Sequence, residues 1–535
     1  MGTKVNSNYE DLITYTRASK GHALRPVSYG DELVENGTFN TDVSGWTETD
    51  ATTVSLSYDA ERLRVLSTAS YEGVYQDITT TVGRIYSFTR TVEGGTGTLR
   101  FRTYAGPASG GLVDLGGISA IDNGAGSTET FIFIATSTTT RIQMQSWNTF
   151  ADFWLDNISV KEVTFDQPDG TLTLFEHPEN VPRVEYDADG NRLGLLVEEA
   201  RTNLVTYSED FTTGWSRSNI LPFGSGSTSN AITAPDGTTT ADLIVPTTAS
   251  NNSHFIRTTA QPSVGVGTVA TFSVFVKAAG YTSLSLRLIN TDATSIINYD
   301  LTAVTASASD GSITAVGNGW YRCTIKGAST NGTAWPWIYP NQQATFAGDG
   351  TSGIYIWGAQ VEAGLFPTSY MKNEGTASGK DRSADVASIP VADFGYNTEV
   401  GSVVAEYLPI KVDSTIRSVF ELAKDNNDRL YSSSSTSKHW FVKSGGTDQA
   451  SLDLGSSTED QLNKIAGAYK QNDFAASLDG GSVTTDTSGV VQTGITDLHI
   501  GGIKNATQFY LNGHIKSIKY YPRRLTNAQL QDLTS

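Results

Sequence analysis

The chain has 535 residues, 38% of them hydrophobic and 17% charged, with a formal net charge of −19. That length allows about three or four domains. The acidic balance, with no run of Lys and Arg, excludes the phosphate contacts of a nucleic-acid binder. No stretch of about 18 apolar residues occurs, so no membrane insertion by a helix is expected. The polar positions are filled by Thr, Ser, Asn and 52 glycines, a composition that suits strands and turns rather than helices.

Residues 1–30 are polar and rich in turn formers. Their main large apolar side chains are Leu12, Ile13, Tyr15, Leu24, Val27 and Tyr29. So little apolar area does not offset an ordering entropy of about 1–2 kcal/mol per residue. The segment is therefore predicted to be ordered by a partner. Met1 to Asp11 lacks the apolar core of a secretory signal, and Cys323 is the one cysteine. Synthesis and folding in a reducing cytoplasm are expected, with Cys323 an inert buried thiol.

Residues 31–163 read as a first module. Arg62-Leu63-Arg64-Val65 and Leu99-Arg100-Phe101-Arg102 alternate with period two, as half-buried strands do. Residues 164–203 read as a connector of hairpins. Arg183-Val184-Glu185-Tyr186 and Arg192-Leu193-Gly194-Leu195-Leu196 flank the tight-turn run Asp187-Ala188-Asp189-Gly190-Asn191. Residues 204–385 form a second module and residues 386–535 a third. The third ends in the one clear helix, Asn527 to Leu533, capped by Thr526.

The first two modules begin and end alike. Asn36-Gly37-Thr38-Phe39 with Gly45-Trp46 opens the first, and Glu209-Asp210-Phe211 with Gly214-Trp215 opens the second. Phe153-Trp154-Leu155-Asp156-Asn157-Ile158 and Tyr355-Ile356-Trp357-Gly358-Ala359-Gln360 close them. Signature residues at both ends predict that first and last strands pair, as in an antiparallel sandwich.

Catalytic patterns are missing: there is no Gly-x-Ser-x-Gly elbow, no His-Glu-x-x-His and no phosphate loop. Asp187, Asp189, Asn191 and Glu198 have calcium-loop spacing, but Arg192 stands where such a loop needs Gly, so a hairpin turn is the reading preferred. The six histidines lie at least 15 residues apart, and no metal site is expected. Aromatic residues are the candidate ligand contacts. Trp335, Trp337 and Tyr339 would share one face of a strand, stacking on a sugar if exposed and serving as core if buried. His439 and Trp440 are further candidates.

Arg183-Val184-Glu185-Tyr186 and Leu195-Leu196-Val197-Glu198-Glu199-Ala200-Arg201-Thr202-Asn203-Leu204 resemble a segment common in tailed-bacteriophage structural proteins of the tail-fibre or head-spike kind. In those proteins a stretch resembling Thr14-Tyr15-Thr16-Arg17-Ala18-Ser19 precedes it closely, so residues 31–163 look like an insertion. Arg382-Ser383-Ala384-Asp385 also resembles that group. Residues 386–535 resemble a concanavalin-A-like, laminin-G-like lectin sandwich through Ala466-Gly467-Ala468-Tyr469 and Leu511-Asn512-Gly513-His514. The first module resembles carbohydrate-binding jelly rolls through Asn36-Gly37-Thr38-Phe39 and Leu155-Asp156-Asn157-Ile158-Ser159-Val160. That family commonly carries a structural calcium whose carboxylate position is Asn40 here, which counts against the ion; no other cofactor is implied.

The fold class implied is all-β: a string of antiparallel jelly-roll and concanavalin-like sandwiches behind a short N-terminal attachment segment. The function implied is that of a non-enzymatic virion surface protein, a fibre, spike or capsid decoration, made in the host cytoplasm. It would bind a bacterial surface glycan, act as a homo-oligomer (a trimer), and meet other virion proteins through residues 1–30. Two other readings stay open: a structural virion protein without ligand, and a depolymerase of capsular polysaccharide.

Overall fold

The structure is a computed structural model that describes residues 13–95, 99–121, 126–148, 150–250, 252–292, 296–342, 345–436, 439–504 and 509–535. Two compact units divide the chain: Pro26–Thr171, and Met1–Arg25 with Leu172–Ser535. Both are built of antiparallel sheets.

Pro26–Thr171 is a sandwich of two sheets. One runs in the order Thr47–Glu48, Glu72–Thr79, Thr139–Ser146, Leu99–Pro107, Val113–Ile121. The other centres on Ala151–Phe165, which pairs with Ile85–Gly94 and with residues 27–32. Alternation fixes the faces: along Leu99–Pro107 every second residue is buried. Phe88, Met144 and Phe153 fill the space between the sheets.

The second module, in the other unit, repeats this plan. Its sheet Trp215–Ser218, Phe255–Thr258, Trp335–Tyr339, Ser283–Ile289, Ile297–Asp300 has the same strand order as the first module's sheet, with Thr305–Ala306 added as a sixth strand at the edge. Specific contacts recur with it. Trp46 Nε1 donates to the Asn36 carbonyl at 3.1 Å, and Trp215 Nε1 to the Tyr207 carbonyl at 2.9 Å. Phe39 packs on Trp46, and Phe211 on Trp215. Both closing strands bulge at a residue of left-handed φ, Asn157 (49°) and Gly358 (64°).

The closing strands do not pair with the strands that follow Trp46 and Trp215, which lie in the opposite sheet. They bond the chain just ahead of those tryptophans. Leu33 N donates to Val160 O and Ile158 N to Gly37 O; Leu204 N donates to Val361 O and Ala359 N to Ser208 O. The opening motifs are therefore corners at which the chain passes from one sheet to the other.

The third sandwich has two seven-stranded sheets, and neither is made from residues 386–535 alone. Thr14–Thr16 pairs with Val386–Pro390 as an edge strand. The hairpin Val184–Tyr186 and Arg192–Val197 joins the other sheet through Gly513–Tyr521. Asp187 accepts from the N–H groups of Asp189 and Asn191, which closes the hairpin turn. Within the described residues, the N-terminal segment thus differs from the free attachment arm expected: Tyr15, Arg17, Ala23 and Leu24 are buried in the chain's own fold. Tyr15 bonds Asp385 and Arg17 bonds Asn180, 370 and 163 residues away, out of reach of a local estimate of apolar area. Residues 1–12 lie outside the described residues. The helix Asn527–Thr534 forms with Thr526 and Gln529 as a capping box.

Candidate functional site

Strand alternation puts a second set of side chains on the outer face of each repeated sheet. In the first module the strands Glu72–Thr79, Thr139–Ser146 and Leu99–Pro107 bring Tyr75, Gln143 and Tyr104 into one row across the sheet. All three are half-buried. Gln143 Nε2 donates to Gln145 Oε1 at 2.6 Å, and the Trp147 indole donates to the Tyr104 hydroxyl at 3.3 Å. Tyr71, 61% exposed, meets Trp147 edge-on.

The charges beside this row are matched within the face. Arg141 makes a bidentate pair with Asp77 at 2.7 and 2.9 Å, its guanidinium 3.7 Å from the Tyr75 ring centroid. Arg102 pairs with Asp114 at 3.6 Å and lies over Trp147. What remains is a row of amide, phenol and indole edges, which suits neutral hydroxyl groups, while Arg141 and Arg102 lie over the Tyr75 and Trp147 rings. None of these residues stood out in the sequence. Each is a single polar or aromatic residue on its own strand, and only the register gathers them.

The predicted contacts Trp335, Trp337 and Tyr339 fall on the corresponding face of the second module, with Ile338 turned into the core. They do not form an open stacking surface. Phe255 packs on Trp337 with centroids 4.1 Å apart, and the Arg257 guanidinium lies 4.3 Å from Trp335 and 4.6 Å from Trp337. Tyr339 is only 2% exposed, covered by Phe255 and Trp337, so a sugar ring has no access to it.

Trp440 is corrected outright. It is fully buried in the third sandwich, against Phe420 and so close to Gly467 that a Cβ there would meet the indole at 2.3 Å. Strand parity turns it inward, where the large ring fills the core. The side chain of His439 lies outside the described part of the structure.

The calcium implied by the jelly-roll resemblance does not fit the residues present. Glu32 spends its carboxylate on the N–H groups of Leu33, Val34 and Val160 and on the Ser159 hydroxyl. Asp156 accepts from Asn157, and Asn40 is exposed. Among the described residues no cluster of three or more His, Cys, Asp or Glu could hold a metal.

A cleft of about 530 Å³ in the larger unit is lined by Glu185, Tyr186, Arg322, Lys411, Glu459 and His514, among others. Lys411 engages Glu459 at 2.5 Å, His514 engages Glu185 at 2.6 Å, and Arg322 donates to the Thr368 carbonyl and the Ser273 hydroxyl. Cys323 is fully buried, and burial pushes its thiol well above the usual range, so it is inert.

No protein-family model matches the chain. No curated protein matches it either. Solved structures are similar at low scores. The N-terminal CBM22-1-CBM22-2 tandem domain of Paenibacillus barcinonensis Xyn10C is 12% identical, covers 63% of this chain and 98% of its own, and has a TM-score of 0.22. Domain 4 of AbnA, a GH43 extracellular arabinanase from Geobacillus stearothermophilus, is 16% identical, covers 28% and 73%, and scores 0.24. Domains LG4-5 of the mouse laminin alpha1 chain are 9% identical, cover 62% and 93%, and score 0.20. At such scores these likenesses carry nothing about what the chain binds.

Proposed function

We propose that the chain is a non-enzymatic glycan-binding protein whose ligands lie on the outer faces of its repeated sheets. The observation that carries this is the uncharged row Tyr75–Gln143–Tyr104 with Trp147 beside it. Binding rather than hydrolysis is favoured because the carboxylates at that face, Asp77 and Asp114, are engaged by Arg141 and Arg102. Glycosidases need one carboxyl free to give a proton and another free to attack or activate water.

The biological setting follows from the sequence resemblance. The protein would sit on a tailed-bacteriophage particle as a fibre, spike or decoration and hold the particle to bacterial surface glycans. Shallow faces bind weakly, and a trimer would raise the avidity. Attachment to other virion proteins would use residues ahead of Thr14.

A glycan array probed with the full chain tests the binding reading, with Trp147→Ala as the comparison. Retention of neutral glycans by the wild type and about a tenfold loss in the variant are expected, which is about 1.4 kcal/mol. An array with no binder would favour the purely structural role. Release of reducing sugar from host capsule would overturn the non-enzymatic reading. Antibody labelling of particles in electron micrographs tests the virion setting.

A further inference from the structure

The two repeated sheets place different chemistry at the same position. Thr47 and Ser216 both follow the repeat's tryptophan, and they pair with Tyr75 and Arg257. From there the rows correspond strand by strand: Tyr75–Gln143–Tyr104 in the first module and Arg257–Trp337–Arg287 in the second. The first row carries no charge, and the arginines beside it are matched by Asp77 and Asp114. The second row carries two guanidiniums, and neither makes an ion pair among the described residues.

In a chain of net charge −19, two unmatched cations side by side are a specific feature. Arg257 is also held in place. It lies over Trp335 and Trp337, and its Nε donates to Ser216 Oγ at 3.2 Å. A guanidinium stacked on an indole keeps its edge donors free for a planar, bidentate acceptor. Arg287 stands on the other side of Trp337. Arg257 and Arg287 are both register partners of Trp337, one on each neighbouring strand; burial raises the Tyr339 phenol's pKa, and both arginines pull it down. Asp300, on the next strand opposite Ser283, turns its carboxylate to the N–H groups of Thr302 and Ala303 at 2.8 and 3.0 Å. Ser283, Asn298 and Asn341 complete the face with hydroxyl and amide groups, and the buried Ser285 hydroxyl braces Asn298 and the Asn341 carbonyl from beneath.

We infer that the second module's face binds an anionic sugar, one bearing a carboxylate or sulfate, while the first module's face takes a neutral one. This deepens the glycan-binding reading and rests on it. Arg257 and Arg287 grip the acid group, Ser283, Asn298 and Asn341 meet the ring hydroxyls, and the tryptophans seat the Arg257 guanidinium. One chain would then read two features of a mixed surface polysaccharide.

Titration calorimetry of the full chain tests this with four probes: a hexagalacturonate, a heparin hexasaccharide, a hexamer of sialic acid, and neutral cellohexaose. At least one acidic probe should bind at low salt, and weaken about tenfold in 0.3 M salt or in Arg257→Gln or Arg287→Gln. Lys470→Gln removes the same charge from the exposed surface of the third sandwich and should leave binding unchanged. Melting curves matching the wild type show that each variant is folded. Cellohexaose bound as tightly as the acidic probes, with no effect of either arginine variant, overturns the anionic assignment and leaves glycan binding standing. Failure of all four probes to bind the chain anywhere overturns both.

Discussion

Arg183 Nη2 donates to Asp385 Oδ2 at 2.5 Å, across 202 residues of chain and with both side chains fully buried. The same Nη2 reaches Glu198 Oε2 at 2.8 Å. Arg17 adds to Asp385 at 3.4 Å, the Tyr15 hydroxyl donates to the same carboxylate, and Arg382 lies 3.5 Å from Glu198. Ser369 donates its N–H and hydroxyl to Glu198. Three guanidiniums and two carboxylates thus tie the N-terminal strand, the connector and the end of the second module to one another. The arginines and carboxylates lie in the runs 14–19, 183–186, 195–204 and 382–385, so those runs form a junction of the fold.

Glu198 makes this junction sensitive to acid. Burial works against its charge, but Arg382, Arg183 and the Ser369 donors hold its carboxyl well below the usual range. A carboxylate depressed in the folded state contributes stability above its unfolded value, and that stability is lost as pH falls through the folded one. The larger unit should therefore melt lower as pH drops below 4.5, the ordinary glutamate value. Glu198→Gln leaves three guanidiniums to one carboxylate and should cost about 3–5 kcal/mol at neutral pH. Its melting temperature should also depend less on pH in the acid range, which calorimetry at several pH values reads directly.

The inserted module should be removable. Its ends lie together: a Cβ on Gly170 would sit 3.0 Å from the Pro26 Cβ. Joining Arg25 to Leu172 through a short Gly-Ser link should keep the melting transition of Met1–Arg25 with Leu172–Ser535, because that unit is compact by itself. A truncation that begins at residue 26 should behave differently. It removes the edge strand Thr14–Thr16 and leaves Asp385 without Tyr15 and Arg17. Loss of the transition in the truncated chain and its survival in the relinked one is the expected pair of results.

How much of this was legible depended on range. Period-two runs such as Leu99-Arg100-Phe101-Arg102 gave their strands, and Thr526 gave the cap, because each is decided within a few residues. The repeat was visible as Gly-Trp openings and Trp-bearing closing strands. That those openings are sheet-to-sheet corners was not visible, since pairing depends on which sheet a strand joins. Arg17 and Tyr15 looked like parts of a loose arm because their partner Asp385 lies 368 and 370 residues on. Trp440 looked like a ligand contact because nothing in its neighbourhood told which way its strand faces. The Gln143 row needed three registers at once.

The paired bulges offer a test of the repeat itself. Gly358 holds φ +64°, and a Cβ there would sit 2.8 Å from the Phe275 ring. Gly358→Ala should destabilise the second module by about 1–3 kcal/mol through strain and overpacking. Asn157 fills the matching position at φ +49°, with Nδ2 bonded to Asp156. Asn tolerates this region, so Asn157→Gly should change stability by less than about 1 kcal/mol. Denaturant melts of both variants compare the two sites.

Tyr104→Phe separates the order of the neutral platform from its chemistry. The Tyr104 hydroxyl accepts from the Trp147 indole at 3.3 Å and from Gln145 Nε2 at 3.5 Å, and Gln145 accepts from Gln143. Removing one oxygen leaves the ring and its packing but frees Trp147 and Gln145 to turn. A half-exposed hydrogen bond contributes about 0.5–1.5 kcal/mol, so the fold should survive with little change in melting temperature. Neutral-glycan affinity should fall by a few-fold to about tenfold, because the ligand must then order Trp147 as it binds. Acidic probes held at Arg257 and Arg287 should bind as before. If the loss fell instead on the acidic probes, the assignment of the two faces would be reversed; calorimetry with both kinds of sugar on this one variant decides it.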